Sequence, residues 1–197
     1  LVLAAIRGVA DYPRVKQAQM RARYAEQVAL LGRIAVDVRD PQQLIEQAPQ
    51  IVANAFDADV VSLFLLEPDG QHLRLAGGQG PMGDEPVGWR MLPPAGSPGH
   101  HVLTRNESVV VEDAHEDQRF SFPDVAVQVG LRSAVLAPIS DRGQTVGLLG
   151  VRSRQPRRFG ADELRALESM ASLLATSLQR AHSEEALNHA QRLESVG

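Results

Sequence analysis

The feature that most restricts this chain is a change of apolar period along it. Helical seams at both ends enclose a middle rich in β-branched residues, Gly and Pro. Towards the C-terminus Leu164, Leu167, Ala171, Leu174, Leu178 and Ala181 recur at steps of 3, 4, 3, 4 and 3, the spacing of a coiled-coil seam. Asp162 and Glu163 favour the start of that helix. The seam loses phase after Ala181, where strict spacing calls for Glu185 and Asn188 and the apolar residues are instead Leu187, Ala190 and Leu193. A break of this kind locally unwinds a coiled coil. More than 30 helical residues exceed what a domain in a chain of 197 buries, so the last third is expected to project and pair with a second copy. Met20, Tyr24, Leu31, Ile34 and Val38 form a similar seam near the other end, with Gln27 as its polar interruption. The expected dimer interface is Met20, Tyr24, Leu31, Leu167, Ala171, Leu174, Leu178 and Leu187, with the stripe turning onto the chain's own sheet towards Val38.

Leu1 to Arg7, closed by Gly8, reads as a short strand, and Tyr12-Pro13 as a breaker before the first long helix. Asp40-Pro41 supplies a cap and a first-turn proline for a second helix that reaches Phe56, with Pro49 expected to bend or restart it. Asp59 to Leu66 and His72 to Ala76 then read as a hairpin around Glu67-Pro68-Asp69-Gly70. Gly77 to Gly99 holds seven of the sixteen Gly, five of the twelve Pro and the single Trp, Trp89, and reads as a long loop. Ser97 with Pro98 opens a short helix to Asn106, and Ser108 to Glu112 is another strand. Asp124 is expected to cap a short helix to Val129. Ser133 to Ile139 and Thr145 to Val151 form a second hairpin around Ser140-Asp141-Arg142-Gly143.

Charge and cysteine content narrow the chemistry. With 20 Lys plus Arg against 24 Asp plus Glu, interspersed, the chain has no basic footprint for nucleic acid or an anionic membrane. The apolar run Leu1 to Ile6 is far short of the roughly 20 residues that cross a bilayer, and with no charged start or cleavage site both ends read as cuts through a longer chain. The absence of Cys removes disulfides, thiolate metal sites and cysteine redox chemistry, and fits a reducing cytoplasm. No nucleophile elbow, phosphate-binding loop or H-E-x-x-H motif is present, and Gly77, Gly78, Gly80 and Gly83 lack the Lys of a phosphate cradle. They read as a mobile loop, and no catalytic or metal residue is expected.

Three strings, Ser97 to Phe120 (SPGHHVLTRNESVVVEDAHEDQRF), Leu131 to Val151 (LRSAVLAPISDRGQTVGLLGV) and Phe159 to Leu178 (FGADELRALESMASLLATSL), resemble the GAF domain. The resemblance implies an α+β fold: a twisted antiparallel sheet with helices on one face, a ligand cavity on the other, and long N- and C-terminal coiled-coil helices. Leu1 to Val15 resembles the last strand and exit of a PAS domain, although Gly8, Val9 and Ala10 stand where an acidic-hydrophobic-Thr triplet is usual. Leu187 to Gly197 resembles the start of a sensor histidine kinase's dimerisation helix. The implied organisation is a PAS-like tail over 1–12, a signalling helix over 13–38, a GAF domain over 39–180 and the start of the kinase helix over 181–197.

Within that frame, His100 and His101 are candidates to face the cavity, since neighbours on a helix sit about 100° apart and imidazole ligates haem iron in some GAF sensors. Satisfied structural histidines are the stronger reading, because adjacent His residues do not by themselves build a metal site; His115 reads as solvated loop. Trp89, Phe120 and Phe122, with Arg119 and Arg132 nearby, would bound a cavity for an aromatic or carboxylated molecule. The competing reading is that Phe120 and Phe122 cap the core. Covalent bilin attachment and the cysteine-based methionine sulfoxide reduction of some GAF-like proteins are excluded by the missing Cys. The Asn-Lys-Phe-Asp-Glu signature of cyclic-nucleotide binders is absent. The resemblance therefore implies a cytoplasmic, homodimeric sensory module that relays a small ligand through its helices to a kinase domain in the same chain. A ligand-free dimerisation and relay module, or the GAF module of a diguanylate cyclase, are the alternatives.

Overall fold

The computed structural model describes residues 2–80 and 85–196; Leu1, Gly83 of the glycine run and Gly197 lie outside them. Helix α1, Val2–Asp37, is continuous through Pro13. The strand expected before Gly8 is thus helix from Val2 onwards, and Tyr12-Pro13 does not break it. A six-residue apolar run fits either element by periodicity, and the Ala, Leu and Arg around it favour helix. The likeness of Leu1–Val15 to a PAS exit loses its strand with this change. Helix α2, Pro41–Phe56, starts at Asp40, whose side chain accepts the Gln42 N–H at 3.0 Å, and ends at Asp57 in the left-handed region at φ 49°. The helix does not restart at Pro49. The ring of Pro49 is buried against β2, where a Cβ on Gly77 would lie 3.1 Å from it and 3.0 Å from the Ile45 carbonyl.

Six antiparallel strands follow: β1 Val60–Leu66, β2 Leu73–Gln79, β3 Arg90–Met91, β4 Val109–Val111, β5 Ser133–Asp141 and β6 Gln144–Ser153. Their spatial order is β3-β2-β1-β6-β5-β4. Two pieces of the expected Gly/Pro loop are therefore sheet, the end of β2 and all of β3. Gly77 and Gly78 serve close packing inside β2 and are not part of a loose loop. The second hairpin turns in two residues, Arg142 and Gly143, both at positive φ (50° and 77°), so β5 runs to Asp141 and the turn is shorter than expected. Two left-handed residues match the twist of paired strands.

Alternation sends the two faces of the sheet to different cores. Val61, Leu63, Val135, Ala137, Ile139, Leu149 and Val151 pack under the long helices. Phe64, Leu73, Val111, Leu136 and Leu148 face the other way, beneath helix α3, Pro98–Arg105. Short helix α4, Asp124–Gln128, precedes β5. Its N-cap position is Pro123, with Asp124 inside the first turn and not acting as the cap.

Helix α5, Ala161–Val196, runs 36 residues, and its seam meets its own chain. Leu167, Ala171 and Leu174 are buried beside Tyr24 and Leu31 of α1, while Met20 and Leu178 pack partly buried against the same core. Of the residues expected between two copies, Leu187 alone lies exposed, at 60%. The seam spacing was right, but its partner is the sheet and α1, because a one-sided sheet needs an apolar helical layer before any second copy arrives. Contacts climb in register along both helices, from Arg21 Nε on Asp162 Oδ2 at 2.8 Å to the Arg180 guanidinium on the Ala35 carbonyl at 2.5 Å. The two helices therefore run parallel. The first turns of α1 extend past one end of the pair, and α5 from His182 onwards is exposed beyond the other. No helix among the described residues is long and apolar enough to cross a membrane.

Candidate functional site

On the sheet face opposite the long helices lies a cavity of about 130 Å³. Its floor is Phe64, Leu73, Leu136, Leu148 and Arg152; its walls come from Trp89, Pro93, Pro98, Phe122 and Val125. Helix α3 closes one side. Ser97 begins that helix by accepting the His100 N–H at 3.2 Å, and Asn106 ends it at φ 54°. The Asn106 side-chain oxygen accepts hydroxyls from Ser140 at 2.6 Å and Thr145 at 2.9 Å, which pins the helix to the β5–β6 hairpin. Pro98 and Gly99 face the cavity and Val102 is fully buried.

That orientation decides the histidines. With Gly99 inward, the next two positions lie about 100° and 200° further round the helix, and neither His100 nor His101 lines the cavity. His101 meets Phe120 edge-on at 5.6 Å and sits 3.3 Å from Glu107. Neither supplies an axial ligand to a group in this cavity, which corrects that expectation. Trp89, Phe122 and Arg132 do line it, and so does His115, a residue expected in solvated loop that lies exposed at the rim. Phe120 packs partly buried against the second core, outside the lining. Arg119 lies in a separate surface groove: it holds Asp117 at 2.7 and 3.0 Å, donates to the Val110 carbonyl at 2.7 Å, and covers the Phe120 ring at 5.0 Å.

Arg132 reaches the cavity with its charge already matched. Its Nε donates to Asp113 Oδ1 at 2.7 Å and a second N–H contacts Oδ2. The Arg132 hydrogen bond holds the Asp113 carboxyl at about 2, below its ordinary 3.8, with burial opposing and the His115 N–H assisting. A depressed carboxyl pKa adds stability above the ordinary value, and the gain is lost as pH falls towards the folded value. Thermal melts should therefore fall between about pH 4 and pH 2, and Asp113→Asn should flatten that limb while Asp69, also held at about 2, keeps part of it. A limb unchanged by Asp113→Asn would refute this assignment.

Sequence reasoning missed Arg152 and Ser62. Arg152 shares the parity of Leu148 and Gly150 in a central strand flanked by β1 and β5, and its Nη1 donates to Ser62 Oγ at 2.6 Å. A charge at a core-facing parity was the legible signal. Among the described residues no three His, Asp or Glu side chains are grouped to hold a metal ion.

The fold is shared with proteins of several kinds. The GAF domain of a phosphoenolpyruvate-protein phosphotransferase from Coxiella burnetii superposes with a TM-score of 0.73 at 19% identity, covering 84% of this chain and 98% of that one. Free methionine-R-sulfoxide reductase from Neisseria meningitidis gives 0.71 at 21% identity, covering 83% and 93%. A methyl-accepting chemotaxis protein gives 0.67 at 13%, covering 79% and 99%. No curated protein matches the chain. The model of the GAF domain, a regulatory and ligand-binding module of signalling proteins, matches residues 40–178. That span takes in α2, all six strands and the packed part of α5, and the chain belongs to the GAF domain family.

Proposed function

We propose that this GAF domain is the sensory module of a two-component histidine kinase, in which a small molecule in the cavity alters how α1 packs on α5 and so the helix pair entering a kinase domain of the same chain. The observation that carries the reading is the parallel pair of 36-residue helices, which enter at one end of the domain and leave at the other. An occupied cavity shares β1, β5 and β6 with the helical core on the opposite face, and packed cores respond to small shifts by repacking between discrete arrangements. The likeness of Leu187 to Gly197 to a kinase dimerisation helix supports the choice of output. The cysteine-free composition fits a cytoplasmic location.

Leu187 and Leu193 are exposed beyond the domain and, with Ala190 between them at steps of 3 and 3, keep to one side of α5, which suits that side to pairing with a second copy. Native mass spectrometry at micromolar concentration should show a dimer, and Leu187→Glu with Leu193→Glu should give a monomer with an unchanged melting temperature. A monomeric wild-type chain would refute the pairing. For the relay, Ala134→Phe should fill the cavity from its floor. In the parent protein it should change the rate of ATP-dependent autophosphorylation while leaving the dimer intact. An unchanged rate would overturn the sensory reading, and no autophosphorylation by the wild-type parent would overturn the kinase output.

A further inference from the structure

Arg152 stands in an unusual place for a cation. It lies on the floor of an apolar cavity, half-buried, on a strand with neighbours on both sides. Its guanidinium folds back over Gly150, where a Cβ would come within 3.0 Å of Nη1 and 3.3 Å of Ser62 Oγ; the glycine makes room for this posture. Ser62, itself 3% exposed, takes one N–H at 2.6 Å. The other guanidinium N–H groups find no protein acceptor, and no carboxylate lies within 4.0 Å, among the described residues. The neighbouring arginines differ: Arg132 is held by Asp113, and Arg154 has Asp59 at 3.8 Å. Burial lowers the Arg152 guanidinium to about 10, so it stays charged at neutral pH. A charge kept in apolar surroundings is disfavoured unless an anion meets it.

We infer that Arg152, held by Ser62, recognises the carboxylate of a small apolar monocarboxylic acid, and that this is the class of ligand the cavity takes. The inference rests on the ligand-sensing reading above and names its ligand. A guanidinium fork matches a planar carboxylate in shape and in unit charge. A phosphate would bring a second negative charge to a site with one unmatched arginine among the described residues, and Glu85 on the lining opposes that excess. The remaining surface, Phe64, Leu73, Trp89, Leu136 and Leu148, suits a ring or branched chain. An apolar cavity of similar size, about 150 Å³, takes benzene.

The single Trp of the chain, Trp89, stands on the cavity wall and reports occupancy by its fluorescence. The experiment titrates benzoate, phenylacetate and 3-methylbutanoate against their neutral amides, following Trp89 emission and melting temperature. At least one acid should bind saturably and about tenfold or more tightly than its amide, the size of effect expected for a charged hydrogen bond. Arg152→Gln should erase that preference. Arg152→Lys, which keeps the charge and loses the fork, should retain part of it and serves if the Gln variant fails to fold. Amides binding as well as acids, or a preference that survives Arg152→Gln, would overturn the carboxylate assignment and leave the sensory reading standing. No saturable response to any acid or amide would overturn both.

Discussion

Leu174→Ala will lower the folding stability of this chain by about 2–5 kcal/mol, the range for emptying a packed leucine site, and Leu187→Ala will change it by less than about 0.5 kcal/mol. Both residues sit on the same helix, and the sequence pattern alone gives them similar standing. Their surroundings differ. Leu174 is 1% exposed in the core shared by α1, α2 and the sheet, whereas Leu187 is 60% exposed on the projecting end of α5. For a domain of this size a loss of that order lowers the melting temperature by roughly 5–20 °C, which a thermal melt at one concentration resolves. Equal effects at the two positions would show that the seam is shared with a second copy along its whole length. A charge at the inner site is a poor probe of pairing, because an unpaired carboxylate buried there unfolds the chain before it separates two copies.

The same comparison shows what kind of information each part of the sequence carried. Alternation located both hairpins, since Leu63 and Phe64, or Leu148 and Leu149, belong to opposite faces whatever covers them. Capping residues located α2 and α3, because Asp40 and Ser97 act on N–H groups two and three residues away. Heptad spacing did less. It identifies an apolar stripe and leaves open what lies against it, so the spacing of Leu167, Ala171 and Leu174 suits a dimer and the chain's own sheet equally, and the sheet takes them. Short β3 has two residues and no period to read.

The site was legible where side chains act through chain neighbours and hidden where they act across the fold. Trp89, Phe122 and Arg132 reach the cavity as expected. His100 and His101 do not, because the inward face of α3 is set by Gly99 and Val102 against Leu148, a contact between distant segments. Arg119 is the exception: Asp117, two residues away, withdraws it from the cavity through a local pairing that the sequence displays and the cavity expectation overlooks. Arg132 is matched by Asp113, 19 residues off. Arg152, the cavity cation that no carboxylate matches among the described residues, follows from alternation, since it shares the parity of Leu148 and opposes Leu149 and Val151.

Phe56→Ala will cost about 3–5 kcal/mol of stability, as for other fully buried aromatic residues, and its effect will extend to the mounting of α1. The Phe56 ring is fully buried at the C-terminal end of α2. It stacks on Tyr24 of α1 at 5.2 Å and meets Phe159, just before α5, edge-on at 6.5 Å. The Tyr24 hydroxyl donates to Glu163 at 2.5 Å, and burial with that carboxylate raises the Tyr24 pKa well above its usual value. Glu163 in turn accepts the Gly160 N–H at 2.7 Å, closing the first turn of α5. Three helices are thus tied at one knot, where the entering helix first meets the leaving one. Removing the ring leaves a void between them and loosens the stacking that orients Tyr24, so hydrogen exchange in residues 17–31 should accelerate more than exchange in β5 and β6 when the variant is compared below its melting transition. The parallel relay needs α1 to move against α5 as a unit, and the knot is what makes it one. Uniform acceleration across helices and sheet would mean that α1 has no separate equilibrium, and the cavity would then have nothing distinct to bias.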